Sequence, residues 1–106
     1  MLHTHKDGSM LVVKLSGELD HFVATALRTE LEELLCDQSI THLHLDFGDV
    51  SFMDSSGVGF IIGRYKTMAA RGGRVSAGGL HAPVDRLFRM GGLHRIIEIT
   101  EGKDAL

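Results

Sequence analysis

Thr41-His42-Leu43-His44-Leu45-Asp46-Phe47, followed after a short interval by Phe52-Met53-Asp54-Ser55-Ser56-Gly57 and an apolar run to Ala70, is the passage that decides the fold. Leu43, Leu45 and Phe47 alternate with His42, His44 and Asp46, the period of a strand with one polar face. From Ser56 to Arg71 the period changes. Val58, Ile61, Ile62, Tyr65, Met68 and Ala69 recur at i, i+3, i+4 and i+7, which predicts a helix with that stripe toward the core. Gly72-Gly73 stops it, as glycine past a helix C-terminus does.

The same grammar extends in both directions. Upstream, Leu11, Val13 and Leu15 alternate with Val12, Lys14 and Ser16, a half-buried strand, and Leu2 to Lys6 reads as a weak edge strand before it. Gly17-Glu18-Leu19-Asp20 is expected to turn the chain, with Asp20 as N-cap of a helix from His21 to Cys36. Its apolar stripe is Val23, Ala26, Leu27, Leu31, Leu34 and Leu35. Downstream, Arg74 to Ala77 is a short strand. Pro83 suits the first turn of a third helix with the stripe Val84, Leu87 and Phe88, ended by Gly91-Gly92. Ile96, Ile97 and Ile99 read as the last strand. The order is β-β-α-β-α-β-α-β. Alternating strands and helices predict parallel pairing through right-handed crossovers. The polar alternation predicts helices on one face of the sheet only.

The chain has 106 residues, the size of one domain, with 43% hydrophobic and 24% charged residues. The net charge is −3 and no block of Lys and Arg occurs, which argues against direct binding of nucleic acid. Cys36 is the one cysteine, so no internal disulfide forms, in keeping with a reducing cytoplasm. Met1 to Met10 lacks the apolar centre of a secretory signal, and the apolar stretch around Val58 to Ile62 is far short of a membrane span. A cytoplasmic protein without a membrane segment is expected.

Ser55 stands where the strand run gives way to the helix run. Its hydroxyl belongs beside the free N–H groups of a helix start, where negative charge is favoured. That suits a phosphate added and removed as a switch. Asp54, Ser55 and Ser56 are also good N-caps, and capping alone accounts for them. Away from the core stripe lie Ser56, Gly59, Phe60, Gly63 and Thr67. Glycine inside a helix costs about 0.5–1 kcal/mol relative to alanine. Gly59 and Gly63 therefore answer either to close approach by a partner or to close packing within the chain. Phe60 is either a docking residue on an exposed patch or covered by a loop.

Other chemistries find little in the chain. It holds no Gly-x-Ser-x-Gly elbow, and no histidine is evident as partner to Ser55; His21 reads as a surface residue. Gly72-Gly73 and Gly78-Gly79 around Arg71 and Arg74 do not make a phosphate-binding loop. His3 and His5, like His42 and His44, share strand faces without an acid–histidine cluster and are expected to face solvent. No enzyme activity, cofactor or metal is expected.

Three segments carry a resemblance to a known family. They are Gly17-Glu18-Leu19-Asp20-His21, then Ser51 to Gly59 continuing to Gly63-Arg64-Tyr65-Lys66, and Arg86-Leu87-Phe88-Arg89-Met90 with Gly92-Leu93. In these the chain resembles the anti-sigma factor antagonists of spore-forming bacteria, which are single STAS domains, over Leu11 to Ile99. The resemblance implies a STAS-type α/β fold over residues 1–106, a mixed β-sheet with helices packed mainly on one face. It implies an anti-sigma factor that is also a serine kinase as partner, whose binding frees the sigma factor. It implies phosphorylation on Ser55 as the off switch and a serine phosphatase that reverses it. Asp20 would lie next to Ser55 at the contact surface, with Asp54, Ser56, Gly59, Phe60 and Gly63 around it. The alternatives are an antagonist in a general stress-response pathway and a STAS scaffold that is never phosphorylated. The chain departs from the pattern in ending soon after its last strand, which puts a final helix in doubt. It also departs in Gly78-Gly79, which points to a short fourth strand.

Overall fold

The computed structural model describes residues 2–100, and its elements follow the predicted order. β1 (Leu2–Asp7) and β2 (Met10–Leu19) form an antiparallel hairpin. β2, β3 (His42–Met53), β4 (Arg74–Gly78) and β5 (Glu98–Ile99) pair in parallel, and the sheet order is the chain order, β1 to β5. The crossovers are α1 (His21–Leu34), α2 (Ser55–Ala70) and α3 (Ala82–Met90), the last followed by a 3₁₀ turn at Leu93–Arg95.

Strand alternation divides the sheet into two unlike faces. Leu11, Val13 and Leu15 of β2, Leu43, Leu45 and Phe47 of β3, and Val75 and Ala77 of β4 form one core with Leu27, Leu31, Ile61, Met68, Val84 and Phe88 of the helices. Phe47 and Phe88 meet edge to face, with centroids 6.1 Å apart. The intervening strand residues, among them Lys14, His44, Asp46 and Ser76, point the other way, so the helices pack on one face.

Several expectations need correction. Gly17-Glu18-Leu19 does not turn the chain: β2 runs on to Leu19. Gly17 takes a φ of +87°, open to glycine, beside a shift of register against β3. His44 and Asp46 do not face solvent but are buried, 4% and 9% exposed. They stand on β3, the central strand of the sheet, paired on one side with β2 and on the other with β4. His42 Nε2 and His44 Nδ1 both hydrogen-bond the Ser76 hydroxyl, at 2.8 and 2.7 Å. The α1 stripe is centred on Ala24, Leu27 and Leu31, with Ala26 and Leu34 exposed. The face that α2 buries is rotated from the predicted one. Gly57, Phe60, Ile61, Arg64 and Met68 are buried, Val58, Ile62 and Tyr65 half-buried, and Ala69 exposed. β5 is shorter than expected: Ile97 packs inward before it, while Ile96 is 41% exposed. The question of a final helix lies outside the described residues.

Candidate functional site at the paired helix starts

Parallel pairing carries β2 and β3 to a common end, where Leu19 stands opposite Met53. The next residues are Asp20 and Asp54, and each caps a helix. Asp20 Oδ1 accepts the Val23 N–H at 3.0 Å, and Asp54 Oδ1 accepts the Ser56 N–H at 2.8 Å. α1 and α2 therefore start side by side, with their free N–H groups and positive dipole ends at one edge of the molecule. The register thus sets Asp20 and Asp54 at neighbouring strand ends, although the two lie 34 positions apart in sequence.

Ser55 is the first residue of α2 and is exposed; Ser56, the second, is half-buried. Among the described residues no hydrogen bond holds the Ser55 hydroxyl, while the Asp54 carboxylate is engaged by the Ser56 N–H. Gly57 lets the helix start settle on the strand ends. A Cβ there would lie 2.8 Å from Met53 Sδ and 3.5 Å from the Leu19 carbonyl oxygen, so only glycine fits without displacement.

Beside this helix start runs a groove of about 290 Å³ between α1 and α2. His21, Thr25 and Arg28 line one side, and Ser56, Gly59 and Phe60 the other. Phe60 is not an exposed docking residue: it is 4% exposed and its ring belongs to the groove floor and the core. The glycines answer the question posed by their sequence. Among the described residues, and apart from the helix's own neighbouring backbone, no heavy atom lies within 4 Å of the position a Cβ would take at Gly59 or Gly63, so packing against other described elements does not account for either.

Arg64 is the largest departure from the sequence pattern. It is 3% exposed, its Cζ stands 5.4 Å from the centre of the Phe60 ring, and Nη2 faces Glu32 Oε2 at 3.6 Å. Nε and Nη1 have no acceptor among the described residues. Burial lowers its pKa, the Glu32 carboxylate opposes that, and the nearby Arg28 charge adds to it. The signal that would have found it is an arginine in helical register with Phe60, Ile61 and Met68. Two exposed phenylalanines at the same edge were also missed. Phe22, two residues after Asp20, is 86% exposed, and Phe52, two before Asp54, is 47% exposed. Each is an apolar residue outside the predicted core stripes.

The residues considered for other chemistries are placed elsewhere. Arg71 donates from Nη1 to the Asp37 and Ile40 carbonyls and from Nη2 to that of Leu35, tying the end of α2 to the end of α1. Among the described residues no three His, Cys, Asp or Glu side chains are grouped to hold a metal ion. No helix among them is long and apolar enough to cross a membrane.

Residues 1–105 match the STAS domain model. An anti-sigma F factor antagonist of Paenibacillus polymyxa is 38% identical over 94 residues, covering 89% of this chain and 80% of the relative. An anti-sigma-B factor antagonist of Bacillus subtilis strain 168 is 35% identical, covering 83% and 79%. Among solved structures, the anti-sigma factor antagonist SpoIIAA in its unphosphorylated form is similar with a TM-score of 0.86 at 27% identity, over 99% of this chain and 92% of that one. The phosphorylated form of the Bacillus SpoIIAA is similar with a TM-score of 0.78 at 26% identity, over 99% and 96%.

Proposed function

This chain belongs to the STAS domain family, among its anti-sigma factor antagonists, and on that premise we propose that it binds an anti-sigma factor serine kinase and is switched off by phosphorylation on Ser55. The observation that carries the proposal is the exposed, unengaged Ser55 hydroxyl at the capped start of α2. The relative SpoIIAA, solved both with and without phosphate, supports it. In this reading the unmodified protein holds the anti-sigma factor in the cytoplasm and so frees the sigma factor. Asp20, Asp54, Ser56, Gly59, Phe60 and Gly63 form or support the contact surface, and a serine phosphatase acting on phospho-Ser55 resets it. No catalytic residue of the chain takes part in the phosphoryl transfer.

The switch is local. A phosphate brings about −1.5 to −2 charges at pH 7. The α2 start tolerates that charge, with about 0.3–1 kcal/mol of favourable dipole interaction. A partner surface pressed on the same spot meets like charge or unpaired desolvation, at a cost of several kcal/mol. With about 1.4 kcal/mol for each tenfold in affinity, binding weakens a hundredfold or more.

Incubation with the kinase of the same organism and ATP, followed by mass spectrometry, is expected to place one phosphate on Ser55. Ser55→Ala is expected to bind the kinase and escape the switch, and Ser55→Asp to bind poorly. Equal affinity of the two variants would refute the scheme. Relatives named for sigma F and for sigma-B are similar to this chain to comparable degrees, so a stress-response pathway is the second reading. A structure of the phosphorylated form with a rearranged backbone would rule out a purely local switch.

A further inference from the structure

Resting on the partner-binding role proposed above, we infer that the groove between α1 and α2 receives an acidic segment of the partner, and that Arg28 is the residue that reads its charge. Three observations converge on this groove. The first is charge. Arg28 is exposed, lines the groove, and among the described residues takes part in no ion pair or side-chain hydrogen bond. Arg64 is committed to Glu32, Arg71 to three carbonyls and Arg89 to Asp85; Arg28 and Arg86 have no such partner among the described residues, and of these two Arg28 alone lines the groove. In a chain of net charge −3, an uncommitted guanidinium beside the positive end of α2 is a local inversion of sign.

The second observation is room. Gly59 stands on the groove wall, Gly63 follows one turn later, and among the described residues a Cβ at either would meet no atom of another element. The helix gives up stability at both positions and gains a low wall, which suits close approach by another chain. The third is an unfilled demand. Arg64 lies buried on Phe60, a residue of the groove floor, with Nε and Nη1 lacking acceptors and only an exposed carboxylate 3.6 Å from Nη2. Arg28 is near enough to disfavour the Arg64 charge. A carboxylate brought into the groove screens the two guanidinium groups from each other and pairs with Arg28 directly.

The same arrangement explains why a phosphate on Ser55 is an effective block. Ser56 lines the groove, so the neighbouring phosphate sits at its mouth and repels the acidic segment that Arg28 attracts. Pairing and release then use one electrostatic field with its sign changed at one atom.

The test measures binding of this protein to the purified anti-sigma factor of the same organism, at low and at high salt, for wild type, Arg28→Glu, Arg28→Lys, Gly59→Leu and Ser55→Asp. Arg28→Glu is expected to weaken binding at least about tenfold at low salt and to flatten its salt dependence. Arg28→Lys is expected to keep most of the affinity, since the charge remains, and Gly59→Leu to weaken binding at both salt concentrations by filling the groove that Gly59 lines. Wild-type affinity in both Arg28→Glu and Gly59→Leu, with binding lost in Ser55→Asp, overturns the groove and leaves the Ser55 switch standing. No binding by the wild type, or equal binding by wild type and Ser55→Asp, overturns both.

Discussion

Gly57 and Ser55 lie two residues apart and answer to different constraints. Ser55 was legible in the sequence because a helix start is a local event: Asp54, the change of period and the loss of strand alternation all mark it. The need for glycine at position 57 was not, because it comes from Met53 and Leu19 on two strands. Gly57→Ala is expected to destabilise the protein by about 1–3 kcal/mol, as an added methyl in a filled space does. A urea titration checks this, and an unchanged midpoint would show that the Met53 side chain yields freely. Phe60 taught the opposite lesson. Its place off the apolar stripe left open an exposed patch or a covering loop, whereas Arg64 stacks on it and the core encloses it.

At the level of elements, α2 is the informative one. Its apolar residues are spread over a wide arc, because it packs against α1, α3, β3 and β4, and periodicity alone cannot rank those neighbours. Arg64 is inside because it faces Glu32 of α1 and stacks on Phe60, while Ala69 lies outside the buried arc. Gly63 has free space around it in a regular helix, so Gly63→Ala is expected to stabilise the isolated protein by about 0.5–1 kcal/mol. Thermal and urea unfolding of this variant give the sign directly. A loss of stability would mean that Gly63 is retained for folding, which the open space around it contradicts.

Across the whole molecule, the sheet face without helices holds the other polar network. His42 and His44 share the Ser76 hydroxyl, with Asp46, Arg74 and Glu98 on the same side of neighbouring strands. Burial pulls both imidazoles below their ordinary value of 6.5. The Arg74 charge adds to this at His42, while Asp46 and Glu98 oppose it at His44. Below pH 6.5 the unfolded chain therefore takes up protons that the folded chain resists, and the contribution to stability falls as pH drops. Well above that value these two groups are neutral in both states and add no slope. Stability measured by urea at a series of pH values is expected to decline on acidification through this range, and less so in His44→Gln. An identical slope in the variant would remove His44 as a cause.

The element order, the parallel crossovers and the exposed serine at a helix start were determined by the sequence itself, since alternation, helical period and caps act over a few residues. The tertiary structure alone decided three things: which arc of α2 is buried, that His44 on β3 is covered, and that His21, Thr25 and Arg28 stand across a groove from Ser56 and Gly59. Each depends on how close separate elements come, and that distance is set by the packing of the whole core rather than by the pattern within any one segment.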